Sequence, residues 1–261
     1  MILTLALLSL TPVAYKFPVD SIRKYSVTVN FDGFVPILGG RETKAEIELG
    51  LKVVGLGHPQ DDQWKVSSEL TRAKVTLDGE ELPFTVDNLK TFFPKNTINI
   101  SLFGKLIKTD APDIKLPIRL PGLDVKRFPE ITYLPVEFPE QGIELGQSFT
   151  FKKKLGGSEA TYVAVPSKID DKTIELRIEV TQVSEDLENE ALEVVKEAKD
   201  ATASTHTELR GKGTLIFDVA LGAVKELNVK AVAVTQSTDL KDHKRSERTL
   251  RTGLVVKLMS S

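Results

Sequence analysis

The chain is 261 residues long, 41% apolar and 28% charged, with a formal net charge of −2 and no cysteine. Such a composition is globular rather than disordered and long enough to bury a core without staples; it excludes disulfides, thiolate metal sites and cysteine nucleophiles. The near-neutral charge argues against a nucleic-acid binder relying on bulk positive charge.

Residues 2–10 are apolar except Thr4 and Ser9, and Pro12, Val13 and Ala14 follow. An apolar run, a helix-breaking proline and a small residue read as a signal peptide over 1–14, so the chain is expected to be exported, periplasmic or extracellular. The body should then begin near Tyr15–Ile22, with residues 1–14 packed on nothing. Nine apolar-rich residues fall short of the ~20 that span a bilayer, and no later run approaches that length, so no transmembrane segment is expected.

The dominant period along the chain is two, the mark of strands with one dry and one wet face. Tyr25, Val27, Val29 and Phe31 alternate with polar residues, as do Thr43, Ala45, Ile47, Leu49, Leu51 and Val53. Trp64, Val66 and Leu70 lie on even positions, whereas Ala73, Val75 and Leu77 lie on odd ones. That switch predicts a bulge near Thr71–Arg72, which would bend the sheet. Asp78-Gly79 predicts a tight hairpin turn. Asp87 can cap a short helical turn over 88–93, closed by Pro94. Ile98, Ile100 and Leu102 make a further strand.

Six of the thirteen prolines fall between Pro112 and Pro139. Proline lacks a backbone donor, so this stretch is not a central strand. Its many apolar residues, Phe128, Ile131, Tyr133, Leu134, Val136 and Phe138 among them, predict a packed strap over 112–140. β-rich domains over 15–111 and 141–261 are expected on either side. In the second, Ile174, Leu176, Ile178 and Val180 alternate, then Leu215, Phe217 and Val219, then Leu227, Val229, Ala231 and Ala233; Leu250, Leu254, Val256 and Leu258 form the last strand. Leu187, Ala191, Val194, Val195 and Ala198 recur at helical spacing, with acids early and Lys196 and Lys199 later. This predicts one amphipathic helix over about 185–203, as a lid or fixed plug on strand 172–183. The fold class is all-β, mainly antiparallel, with curved one-faced sheets.

Chemistry-bearing residues are sparse. His58, His206 and His243 stand far apart. His58 with Asp61 and Asp62 could offer a cation one nitrogen and two carboxylates, but reads better as a polar loop. Ser21 and Lys24 match Ser-x-x-Lys but enter a strand, which points them to opposite faces. Gly146-Gln147-Ser148-Phe149-Thr150 lacks the last glycine of a nucleophile elbow, and Gly211-Lys212-Gly213 fits no phosphate loop. Asn99 begins an Asn-x-Ser triplet inside a predicted strand. Trp64, Phe92 and Phe93 read as core rather than as a ligand lining. The basic stretch 241–251, with Lys241, Lys244, Arg245, Arg248 and Arg251, could meet an anionic surface, or be a solvated hairpin.

The pattern of curved one-faced strands crossed by one helix resembles the half-barrel folds of bacterial lipoprotein and lipid carriers. That resemblance is architectural and carries no site residue. The expectation is a non-catalytic exported protein, binding or structural, with no cofactor. One alternative is a carrier of an apolar ligand, with a cavity lined by residues such as Leu176, Ile178 and Leu192. The other is an envelope hydrolase, which needs His58 or Ser21 to meet further polar groups.

Overall fold

The computed structural model describes residues 10–35, 40–58, 60, 62–90, 94–111, 122, 128–155 and 157–259. Thirteen strands follow one another as β1 (Ile22–Val35), β2 (Arg41–Gly55), β3 (Gln63–Leu77), β4 (Glu80–Leu82), β5 (Asn96–Ser101), β6 (Leu106–Thr109), β7 (Phe149–Leu155), β8 (Ser158–Ile169), β9 (Thr173–Glu188), β10 (Val194–Val195), β11 (Ala203–Asp218), β12 (Ala223–Asp239) and β13 (Arg245–Leu258). Two short helices, α1 (Val86–Lys90) and α2 (Phe128–Tyr133), and a 3-10 turn at Ala198–Asp200 complete the described elements. The expected helical turn at 88–93 corresponds to α1; residues 91–93, with Phe92 and Phe93, lie outside the described residues.

All strands join one open antiparallel sheet in the order β6-β5-β3-β2-β1-β13-β12-β11-β9-β8-β7, with β4 beside β3 and β10 beside β9. β1 pairs with β2 on one side and β13 on the other, Val27 standing between Leu49 and Val256. The two expected β-rich halves therefore form neither separate sheets nor separate cores: the buried residues of both make one cluster. Each half supplies one-faced strands, and a shared dry face buries more apolar area than two small ones. The expected bulge is present. Leu51 faces Leu70 while Gly50 faces Arg72, which leaves Thr71 as the extra residue.

The dry face is concave. Tyr15 reaches Trp64 on β3, whose indole N–H donates to the Tyr15 carbonyl (2.8 Å), and Phe217 on β11, whose ring lies edge-on at 5.2 Å. Those two strands are five places apart in the sheet order, so the sheet must curl around Tyr15. Segment 10–18, the end of the strap and residues 141–143 after it fill this end. Thr11 and Ile143 exchange backbone hydrogen bonds of 2.8 and 2.9 Å, and Val13 is buried. Residues 11–14 thus belong to the packed body, contrary to the expectation that 1–14 pack on nothing; residues 1–9 lie outside the described residues.

The helix expected over 185–203 does not form. β9 runs on to Glu188, with Asp186 opposite Thr205 and Leu187 opposite Ser204. The chain then turns at Asn189, whose side-chain oxygen accepts from the Ala191 and Glu193 amides. Val194 and Val195 return to pair with Glu188 and Leu187. The helical stripe was narrow and built of alanine and β-branched valine. A continuous antiparallel ladder with β11, running from Thr173 to Glu188, extends the strand in place of the helix and decides the outcome.

Candidate functional site

The antiparallel register stacks the inward residues in rows across the strands, and the rows change character from one end of the dry face to the other. One step in from the row of Phe217 and Tyr25 at the Tyr15 end is a row of large residues: Leu176, Leu215, Leu227, Val256, Val27 and Leu49. The next row runs Ile178, Gly213, Val229, Leu254 and Val29, and the third Val180, Gly211, Ala231, Thr252 and Phe31. A fourth holds Gln182, Leu209, Ala233 and Leu250. The fifth is polar: Ser184, Thr207, Thr235 and Arg248.

A hollow follows from this gradient. In the second and third rows β11 contributes only glycine, and Ala231 is small. Here lies a cavity of about 90 Å³, lined by Val29, Phe31, Ile178, Val180, Leu227 and Ala231 among others. It is covered by Gly122, Ile131 and Pro135, with Tyr162 at its side. The cover is therefore the proline-rich strap, not the expected helix. Within the strap, α2 lies over β12, and Tyr133, Leu134 and Val136 are fully buried.

Side chains hold the strap where its own backbone cannot pair. The Tyr15 hydroxyl donates to the Val136 carbonyl (3.0 Å), and the Lys153 ammonium donates to the Leu134 carbonyl (3.1 Å). Lys153 also pairs with Glu137 at 3.5 Å. It points inward from edge strand β7, and an inward charge on an edge discourages pairing with another sheet. Gln182 is the clasp nearest the cavity. Its amide nitrogen donates to the Leu155 carbonyl (2.8 Å) and the Ser158 hydroxyl (2.7 Å), and its oxygen accepts from the Gly122 amide (2.9 Å).

At the polar end Arg248 and Glu188 pair at 2.8 Å, each side chain 13% exposed. Their strands, β13 and β9, are three places apart, about 14 Å along a flat sheet. The pair therefore bridges across the concave face and closes that end of the trough. The Arg248 guanidinium also lies 5.0 Å above the Phe34 ring. At the opposite end Arg23 donates to the carbonyls of Lys16 and Leu221 and covers the Phe17 ring at 4.6 Å.

The remaining sequence candidates are engaged elsewhere. His58 contacts the Gln63 carbonyl (2.8 Å) and stacks on Trp64, with ring centres 3.6 Å apart. Pro59 and Asp61 lie outside the described residues, and no group of three metal-ligating side chains occurs among the described residues. The Ser21 hydroxyl donates to the Pro18 carbonyl (2.7 Å). Asn99 sits in β5 opposite Lys65 and Lys108. Ile178 lines the cavity and Leu176 lies in the row beneath it. Leu192, at φ 62°, sits instead in the turn after β9, near Phe34 and Gly40. The basic stretch divides: Lys241, Lys244 and Arg245 are exposed at or beside the β12–β13 turn, Arg251 faces outward, and Arg248 faces into the trough. Gln182 and the Glu188–Arg248 pair escaped sequence reading. Their signal was parity: each carries a polar group at a position in phase with the dry face.

The outer face bears a larger groove along β9, β11 and β12, about 810 Å³, but it is more polar, and four of its five lining charges pair with one another. Lys212 meets Glu179 at 3.0 Å and Arg210 meets Glu208 at 3.1 Å. His206, between Glu185 and Glu208, is held above the usual imidazole range by hydrogen bonds to both carboxylates, Glu185 first. Ligand sites favour concave, predominantly apolar hollows, which makes the trough the better candidate.

No known protein family and no curated protein matches this chain. Among solved structures it is similar to lipovitellin, in a structure concerned with lipid–protein interactions in that protein. The TM-score is 0.50 and the identity 14%, over 94% of this chain and 26% of the lipovitellin chain. The chain thus spans about a quarter of the length of lipovitellin, and what the two are seen to share is a fold.

Proposed function

We propose that the protein is a non-catalytic binding protein whose trough carries an apolar ligand, such as an acyl chain, beneath the strap. The observation that carries this reading is the placement of the hollow. It lies where the rows turn from large residues to glycine and alanine, and a strap rather than a second sheet covers it. The likeness to lipovitellin supports the reading, because lipid–protein interactions are described for that protein.

Size sets the mechanism. A cavity of about 90 Å³ is smaller than the ~150 Å³ that admits benzene. An acyl chain therefore enters only as Ile131 and Pro135 lift away from the sheet, and Gln182 governs that movement through Gly122. The apolar run at 2–10 supports export, and the site of action is taken to be outside the cytoplasm. Uptake of a fluorescent fatty acid by the full chain tests the reading. Wild type should bind it, and Ala231→Phe, which fills the hollow, should weaken binding about tenfold or more while the fold is retained. Equal uptake by the two proteins would refute it.

A further inference from the structure

The fifth row of the dry face is polar where the rows before it are mostly apolar. Polar groups buried in a trough cost free energy unless they are hydrogen-bonded. Ser184 and Thr207 are buried there, and the hydroxyls of Thr207 and Thr235 bond to each other at 2.9 Å. Arg248 completes the row with only part of its guanidinium in use. One Nη donates to Glu188 (2.8 Å), whereas the buried Nε–H has no acceptor among the described residues.

This unused donor lies on the track of the hollow. Thr252 and Leu254, which line the cavity, stand four and six residues along β13 from Arg248, about 13 and 20 Å at the rise of a strand. On neighbouring β12 the same track reads Ala231, Ala233 and Thr235, opposite Thr252, Leu250 and Arg248. The row between hollow and Arg248 is therefore lowest over β12. A chain seated at Ala231 and extended past Ala233 brings its head to Arg248.

The charges at this end select the head. In the fifth row and the two beyond it, the inward positions of β9, β11, β12 and β13 carry Arg248 against Asp186, Glu188 and Asp239. Arg248 is already neutralised by Glu188, each side chain being 13% exposed. An ionised head would add a further carboxylate to a mostly dry place that holds more acids than bases. A carbonyl oxygen accepts from Nε and brings no charge. We infer that the trough's ligand is an uncharged acyl ester, its carbonyl held by the Arg248 Nε–H at the polar end and its chain running to the hollow. The inference rests on the trough being the binding site and adds the class of head group; a free fatty acid enters the same hollow but is held less tightly than its ester.

Three probes of equal chain length test it on the full chain: a fatty acid ionised at about pH 8, its methyl ester and the parent alkane, each read by displacement of a fluorescent fatty acid. An ester leaves water more readily than a carboxylate, so the diagnostic is the change between wild type and variants. Glu188→Gln removes one carboxylate and should cut the ester-to-acid affinity ratio about tenfold or more. Glu188→Leu/Arg248→Met keeps the end neutral and removes the donor; it should bind the ester about tenfold more weakly and the alkane as wild type does. An unchanged ratio in Glu188→Gln overturns the inference, as does a double variant that holds the ester fully or loses ester and alkane equally. In those cases displacement by the alkane, weakened by Ala231→Phe, leaves the trough standing as a site. Should Glu188→Gln fail to fold, the double variant decides. Displacement by none of the three probes would refute the trough as a binding site and the inference with it.

Discussion

Gln182 shows how one side chain couples stability to access. It sits on a dry face, in phase with Ile178 and Val180, and satisfies Leu155, Ser158 and Gly122 at once. Replacing it with leucine keeps the volume but leaves the buried Leu155 carbonyl without that donor. Gln182→Leu should cost about 1–3 kcal/mol in denaturant unfolding and speed ligand uptake by freeing Gly122. Slower uptake would mean that the clasp does not control entry. Tyr25 gives a pH prediction. Burial pushes its hydroxyl up to about 12, against the pull of neighbouring Arg23. Because the folded value exceeds the unfolded one of about 10, the neutral phenol's contribution is complete below pH 10 and is lost as pH rises from there through about 12. Tyr25→Phe should remove that part of the alkaline loss of stability; an unchanged alkaline limb would place the sensitivity elsewhere. The Glu188–Arg248 pair is mostly dry, so Glu188→Gln leaves Arg248 under-compensated. A loss of about 1–3 kcal/mol is expected, largely recovered in the double variant Glu188→Leu/Arg248→Met. Equal losses in single and double variants would deny the coupling.

At the scale of elements, alternation was a faithful guide. The dry faces of β1, β2 and β9, read from Tyr25, Thr43 and Ile174 onward, appear as sequence parity dictates, and the bulge at Thr71 follows from the parity switch. The failure at 185–203 has a physical cause. Local spacing there fits a helix, but Gln182, Ser184 and Asp186 extend the strand parity, and only the long-range partner β11 makes that extension worthwhile. Cα chemical shifts of strand type are expected over 184–188 and 203–208; helical shifts over 187–201 would contradict the register. The strap was legible as packed chain, because apolar residues between prolines are too many for a linker. Its place over the hollow was not legible, since that depends on which rows carry Gly211, Gly213 and Ala231, and rows exist only once the register is set.

For the whole molecule the consequence is unity. One sheet and one buried cluster join residues from both halves, so unfolding should be a single event. Trp64 fluorescence and far-UV circular dichroism should report coincident transitions; two separated transitions would restore the two-domain division. Unity also gives the trough its ends, an aromatic plug around Tyr15 and an ion pair across the polar end, which direct any ligand toward the strap. The central claim is that an apolar ligand lies between strap and sheet. Photolabelling of the full chain with a diazirine-bearing fatty acid, followed by peptide mass mapping, tests it most directly. Label should concentrate in the strap near Ile131 and Pro135 and on β12 at Val229 and Ala231. Label confined to the outer face at Val183 and Val232, with none in the strap, would contradict the account.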